Sequence, residues 1–161
     1  MEKNYMTIYG LEKLKKELEN LKKVERPAII EAIAEARSHG DLSENAEYHS
    51  AKEKQSFIEG RIQELEIKIS TASIIEPTKI IEDKIVLGAT VCVVDIDTDE
   101  ESTYTIVGQD EANIDKNLIS VSSPMARALI GKQEGDEATF VTPRGQKSFE
   151  ILKIEYKEID V

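Results

Sequence analysis

The sequence predicts an α+β protein in which an N-terminal antiparallel coiled-coil hairpin precedes a C-terminal domain with a curved antiparallel sheet. Two observations predict the hairpin: apolar residues recur at alternating steps of three and four in two separate segments, and a glycine-containing turn lies between them. A third predicts the sheet, because beyond Pro77 the apolar residues alternate with a period of two. We expect the hairpin over residues 1–76 with its tip near 38–45, a linker over 77–84 and the globular domain over 85–161.

The first arm begins near Leu11, where leucines at positions 11, 14, 18 and 21 form one apolar stripe with Lys and Glu between them. The step changes near Pro27, which has no backbone N–H to donate. Pro27 either bends the helix, is a tolerated irregularity, or separates two shorter helices.

The second arm carries an apolar stripe with the same steps, formed by Phe57 or Ile58, then Ile62, Leu65, Ile69 and Ala72. About 30 residues per arm at roughly 1.5 Å each predict a hairpin on the order of 45 Å long. Near the turn the residues expected to face one another are small, which predicts a slender far end; they are Ala34, Ala36, Ala46 and Ala51.

The C-terminal half predicts five short strands and one short helix. The strands are expected at 85–94, 102–107, 118–121, 138–141 and 148–156. Ser123 is a favourable N-cap, Pro124 a favourable first helical residue and Gly131 a favourable terminator, so they delimit a helix over 123–130.

The formal net charge of −11 is unevenly distributed, since residues 81–161 hold 17 of the 32 acidic residues but 8 of the 21 basic ones. Such a surface repels phosphate and argues against tight binding to bare DNA or RNA, so contact with nucleic acid should go through a partner protein. Cys92 is the single cysteine, and no apolar run has the length of a signal peptide or a membrane span. These features predict a cytoplasmic protein without membrane contact.

The predicted tip contains two carboxylates, Asp41 and Glu44, for which two interpretations stay open. Their spacing matches a capping box with Asp41 as N-cap and Glu44 at the third helical position. They are also hard oxygen ligands suited to Mg²⁺, although two exposed carboxylates need further ligands from a substrate or partner. His39 and His49 flank the tip, but their spacing matches no closed zinc site.

The motif around the tip resembles that of the GreA-type members of the Gre factor family of bacterial transcript-cleavage elongation factors. The resemblance lies in Gly40-Asp41-Leu42-Ser43-Glu44-Asn45-Ala46-Glu47-Tyr48, Ala51-Lys52-Glu53 and Glu59-Gly60-Arg61-Ile62. The second half is similar to the same family in Asn117-Leu118-Ile119-Ser120-Val121, in residues 123–132 and in Pro143-Arg144-Gly145. Matching motifs therefore occur in order along nearly the whole chain.

The resemblance implies a factor that inserts its coiled coil into the secondary channel of a backtracked bacterial RNA polymerase. Asp41 and Glu44 would be the catalytic carboxylates, holding Mg²⁺ jointly with the polymerase for hydrolysis of the RNA 3′ end. The factor would not itself be an enzyme. It would act as a monomer, meet nascent RNA and template DNA only within the polymerase complex, and carry an FKBP-like C-terminal domain.

Two further groups of residues are assigned roles within this interpretation. Arg37, Tyr48 and Lys52 are expected to steer the RNA 3′ end, although the basic residues could equally form a solvated helix face and Tyr48 could pack along the hairpin. The corner Ser122-Ser123-Pro124-Met125 is expected to dock on the polymerase; its simpler interpretation is an ordinary helix cap.

Two other functions stay open from the sequence. One is a regulator that occupies the polymerase channel without promoting cleavage, which the presence of both tip carboxylates disfavours. The other is a coiled-coil adaptor with a peptide-binding FKBP-like domain.

Overall fold

The computed structural model describes residues 4–40 and 44–161. By packing, the described residues divide into two units: Glu12–Thr71 forms a helical unit, while residues 4–11 join Ala72–Val161 in a C-terminal unit. Residues 4–11 and 72–76, which the sequence analysis placed in the hairpin, thus pack with the C-terminal unit. Within the two described ranges, no helix is both long and apolar enough to cross a membrane.

The helical unit contains residues 12–20 of α1 (Ile8–Asn20), together with α2 (Arg26–Arg37) and α3 (Ala46–Ser70). A π-helical turn, Leu21–Glu25, joins α1 to α2, and in it the Arg26 N–H donates to the Leu21 carbonyl five residues earlier. The turn ends two residues before Pro27, whose ring clashes with the carbonyl four residues before it in an ordinary α-helix. Widening one turn lets the helical run continue past the proline.

The two arms pack antiparallel through the predicted apolar stripes. Ile29 and Ile33 of α2 pack against Ile58 and Ile62 of α3, and Leu65 is fully buried. Of the two alternatives for the second stripe, Ile58 is buried and Phe57 is 74% exposed. Ion pairs cross between the arms at Lys22–Glu66, 2.7 Å, Arg26–Glu59, 2.8 Å, and Arg61–Glu17, 2.9 Å.

The expectation for the small residues near the turn was correct only in part. Ala36 is buried and Ala51 packs against the apolar cluster, but Ala34 and Ala46 are exposed. Ala46 is the first residue of α3, where the helix has only begun to turn. The close pairing of alanines therefore does not extend through the whole segment.

A two-stranded parallel sheet of β1 (Asn4–Thr7) and β2 (Ala72–Ile75) belongs to the C-terminal unit. Glu111, itself buried, accepts hydrogen bonds from the Thr7 N–H, 2.8 Å, from the Thr7 hydroxyl and from the Gly108 N–H, 3.0 Å. This side chain ties β1 to a segment 104 positions away.

The main sheet of the C-terminal unit has five strands in the order β5-β4-β3-β7-β6. They are β3 (Thr90–Asp95), β4 (Glu101–Val107), β5 (Leu118–Ser120), β6 (Glu137–Thr142) and β7 (Gly145–Glu155). One helix, α4 (Pro124–Leu129), packs on it through Ala126 and Leu129. The predicted α+β class, with helices first and the sheet second, is confirmed.

Two details of the predicted sheet were wrong. The sheet is mixed, because β4 and β5 run parallel, and residues 108–117 between them give the chain room to return in the same direction. The first strand of this sheet, β3, begins at Thr90 and not at Ile85, since Gly88 adopts a φ of 101°. Ile85 instead exchanges backbone hydrogen bonds with Gly131 and Lys132.

Candidate functional site

The candidate site is the turn between α2 and α3. α2 ends at Arg37, and Gly40 has a φ of 109°, a conformation that glycine adopts without strain. Asp41, one of the two carboxylates predicted to act here, lies outside the described residues together with Leu42 and Ser43. Glu44, the other, occupies a bend before α3 and is exposed.

The start of α3 corrects the predicted capping box. The helix begins at Ala46, and Asn45 is its N-cap, with its side-chain Oδ1 accepting from the Tyr48 N–H at 3.1 Å. Glu44 therefore lies before the helix and not at its third position. Asn45 was missed because the spacing of Asp41 and Glu44 gave a competing cap signal; asparagine directly before a helix is itself a strong one.

Asn45 also reaches back to the other arm. Its Nδ2 donates to the Ala36 carbonyl at 2.6 Å, and this carbonyl also accepts from the His39 N–H at 3.2 Å. Ala36 is buried, so the bond attaches the end of the turn to a fixed point of α2. One amide side chain thus joins the end of α2 to the start of α3.

Arg37 and Tyr48, two of the three residues expected to steer RNA, lie together. The Arg37 guanidinium carbon is 5.9 Å from the centroid of the Tyr48 ring, within the range of a cation–π contact. Tyr48 is half-buried against the apolar cluster of the arms, and His49 meets its ring edge-on at 5.5 Å. Tyr48 thus packs along the hairpin and supports Arg37.

Lys52, the third of these residues, is exposed on α3 one turn beyond Tyr48. Its Nζ donates to Gln55 Oε1 at 3.2 Å. Arg37 is likewise exposed, so both cations are accessible to a negatively charged ligand. Their steering role stays a prediction.

A shallow polar depression lies beside the turn and is lined by His39, Glu44, Asn45, Ala46 and Glu47. Among the residues that the structure describes, no three His, Cys, Asp or Glu side chains lie close enough to hold a metal ion. A metal at Glu44 would therefore need ligands beyond this described set.

The corner predicted to dock on the polymerase is the N-terminus of α4. Ser123 caps this helix, accepting from the Ala126 N–H at 3.2 Å and donating to the Ser120 carbonyl at 2.7 Å. Ser122 and Pro124 are exposed, while Met125 is half-buried against the sheet. The corner is a helix cap in structure, and its docking role stays a prediction.

Three aromatic residues of the main sheet pack together. Phe140 and Phe149 are buried with ring centroids 5.4 Å apart, and Tyr104 stacks on Phe149 at 6.3 Å. These rings therefore contribute to the core of the sheet and do not form the rim of an open pocket.

Comparison with known families assigns both parts of the chain to the same class of protein. Residues 4–74 match the family described as "Transcription elongation factor, N-terminal", and residues 80–156 match "Transcription elongation factor, GreA/GreB, C-term". The two matches define a transcription elongation factor. The chain belongs to the GreA/GreB family, as its tip and second-half motifs predicted.

Curated relatives and solved structures match over nearly the whole chain. Transcription elongation factor GreA of Ruegeria pomeroyi is 65% identical over 156 residues, which cover 97% of this chain and 99% of the relative. That of Hyphomonas neptunium is 58% identical over 157 residues, covering 98% and 100%. The crystal structure of GreA factor homolog 1 of Thermus thermophilus is 29% identical, covers 96% of this chain and 99% of its own, and has a TM-score of 0.44.

Proposed function

We propose that this chain is an accessory factor that binds bacterial RNA polymerase and stimulates hydrolytic cleavage of the 3′ end of backtracked RNA by the polymerase's own active site. The observation that carries the proposal is the family match over both units, together with an exposed carboxylate, Glu44, in the turn between the paired helices. Removal of the extruded 3′ segment leaves a new 3′ hydroxyl in the polymerase active site. Arrested transcription can then resume.

The donor set of the turn fits a shared Mg²⁺ ion and not one held by this chain alone. Carboxylate oxygens are the ligands that Mg²⁺ prefers, and Mg²⁺ commonly completes its shell with water and with phosphate oxygens of a substrate. Glu44, with Asp41, would hold the ion jointly with the polymerase. When bound, the ion supplies charge stabilisation to the attacking and leaving oxygens of the hydrolysed phosphodiester.

The chain's own residues supply placement. Glu44 directly precedes the Asn45 cap, so its backbone is attached to both arms. Arg37 and Lys52 place two exposed positive charges behind the turn, which favours the approach of an RNA phosphate in a chain whose net charge is −11. The polymerase provides the main grip on nucleic acid.

Charge removal without a change of shape tests the proposal. In a purified backtracked complex, Asp41→Asn and Glu44→Gln should each lower stimulated RNA cleavage by about a hundredfold or more, a loss comparable to that of a preorganised catalytic group. The amides are nearly isosteric but bind Mg²⁺ weakly. Glu53→Gln is the matched control, because Glu53 is an exposed carboxylate on α3 away from the turn.

The measured quantities are the rate of RNA shortening at several Mg²⁺ concentrations and the affinity for the polymerase. The two turn variants should bind as well as the parent, since each exchange removes a charge but keeps the size and polarity of the side chain. Normal cleavage with either variant would show that the substituted carboxylate is not a metal ligand. A parent protein that only slows elongation would favour the channel-occupying regulator, and failure to bind polymerase would favour the adaptor.

A further inference from the structure

Asn45 is the residue of the turn whose contacts go beyond those of an ordinary cap. Its backbone carbonyl accepts from the His49 N–H at 3.1 Å, which opens the hydrogen-bond ladder of α3. Its side chain accepts from the Tyr48 N–H and donates to the Ala36 carbonyl. Of the side chains favoured at an N-cap, asparagine provides a carbonyl acceptor and an amide donor together.

The bond to Ala36 closes the turn across nine positions. In the sequence, both carboxylates of the proposed site, Asp41 and Glu44, lie between Ala36 and Asn45. The ends of the turn are attached to α2 through a buried residue and to α3 through the first helical turn. The backbone next to Glu44 is therefore fixed relative to both arms.

We propose that Asn45 is a positioning residue for transcript cleavage, holding the backbone next to Glu44 so that this carboxylate reaches the shared metal in one geometry. This inference rests on the proposed function. Asn45 does not need to touch the RNA or the ion. Small displacements of a reacting group are costly, since about 1 Å of misplacement lowers a rate by about a hundredfold.

Three substitutions separate the two side-chain bonds. Asn45→Asp keeps an acceptor for the Tyr48 N–H but faces the Ala36 carbonyl with a carboxylate, so the bond between the arms is lost. Asn45→Ser keeps a cap but lacks the length and the amide donor of asparagine. Asn45→Ala loses both bonds. Asn113→Ala is the matched control, because Asn113 is also an N-cap, accepting from the Asp115 N–H at 3.0 Å in the C-terminal unit.

The experiment measures cleavage in a backtracked complex at saturating factor over a range of Mg²⁺ concentrations, with polymerase affinity and thermal unfolding measured in parallel. Asn45→Ala and Asn45→Asp should lower the maximal rate by between about tenfold and a hundredfold. The Mg²⁺ concentration needed for half-maximal cleavage should rise with both. Polymerase affinity and melting temperature should stay near the parent values, and Asn113→Ala should cleave normally.

Several results would overturn this role. Normal rate and normal Mg²⁺ dependence in Asn45→Asp would show that the bond to Ala36 is dispensable. A lowered rate that follows lost polymerase affinity, with unchanged Mg²⁺ dependence, would show a merely structural effect. If Asn45→Ala unfolds the turn, Asn45→Asp decides, because it keeps the cap.

Measurements on the parent protein and on Asp41→Asn distinguish failure of the Asn45 positioning role from failure of the proposed function. If the parent does not stimulate cleavage, the proposed function itself is wrong. If the parent stimulates cleavage and Asp41→Asn abolishes it while Asn45→Ala and Asn45→Asp cleave normally, only the positioning role fails.

Discussion

Asn45 in the helical unit and Glu111 in the C-terminal unit each join two segments of chain through one polar side chain, but in different surroundings. Asn45 is half-buried and links positions nine apart. Glu111 is 7% exposed and links positions 104 apart, accepting from two backbone N–H groups and one hydroxyl. The bonding is similar, but access to water differs.

Access to water decides what each residue contributes. When a half-exposed hydrogen bond is removed, water replaces the lost partner, so the free energy of unfolding falls by only about 1 kcal/mol. When the acceptor of a buried N–H is removed, that N–H is left without a partner at a cost of about 1–3 kcal/mol. We therefore expect Glu111 to contribute to stability and Asn45 chiefly to geometry.

The largest expected effect comes from crowding the Glu111 site. A Cβ added at Gly108 would lie 2.0 Å from the Tyr5 carbonyl oxygen and 3.0 Å from Met6 Cα, which are backbone atoms of β1. Gly108→Ala should therefore displace β1 and lower the free energy of unfolding by more than about 3 kcal/mol. Urea unfolding of the full chain measures this loss of free energy of unfolding.

Gly60→Ala is the control for this substitution. Gly60 is in the interior of α3 with open space around its Cβ position, so alanine there should stabilise the helix by about 1 kcal/mol. If Gly108→Ala is as stable as the parent, the backbone of β1 does not lie as close to Gly108 as the structure indicates.

The next largest effect comes from removing the acceptor itself. Glu111→Ala leaves the N–H groups of Thr7 and Gly108 without their carboxylate and should lower the free energy of unfolding by about 3 kcal/mol. Hydrogen exchange should rise at Thr7 in particular. Glu158→Ala, which removes an exposed carboxylate from the same unit, should change stability little. If Glu111→Ala and Glu158→Ala have the same free energy of unfolding, the hydrogen bonds of Glu111 contribute no more to stability than hydrogen bonds to water would.

The contrast between these two residues also shows what the sequence could predict. The buried stripe of Ile58, Ile62 and Leu65 and the Ser123 cap follow from spacings within one or two turns of chain, and the structure confirms them. The pairing of β1 with β2 could not be predicted in this way. Asn4–Thr7 is too short to show a period, and its partners are far along the chain.

The turn shows a second limit. Asp41 with Glu44 and Asn45 with Tyr48 both satisfy local rules for starting a helix, and only one set of bonds is formed in the described residues. Asn45 caps α3 and also reaches the Ala36 carbonyl on the other arm. That contact depends on how the two arms pack, which no local spacing records.

Tyr156 is half-buried, as Asn45 is, and its expected effect on stability is smaller than that of Glu111. Its hydroxyl donates to the Lys84 carbonyl at 2.6 Å and accepts from the Val86 N–H at 3.1 Å, while its ring is half-buried against the sheet core. Tyr156→Phe should lower the free energy of unfolding by about 1–2 kcal/mol at neutral pH, between the values expected for Asn45 and Glu111.

Burial raises the pKa of the Tyr156 hydroxyl, an effect that nearby Glu82 reinforces and the bond from the Val86 N–H opposes. Because the folded state favours the neutral phenol, its contribution is complete below the unfolded pKa of about 10 and is lost as pH rises through the higher folded value. Urea unfolding from about pH 8 to about pH 11 should therefore show a steeper decline for the parent than for Tyr156→Phe. Tyr104→Phe should decline as the parent does, since it retains Tyr156. Parallel curves for the parent and Tyr156→Phe would mean that water already solvates this hydroxyl in the folded state, so that its burial does not contribute to stability.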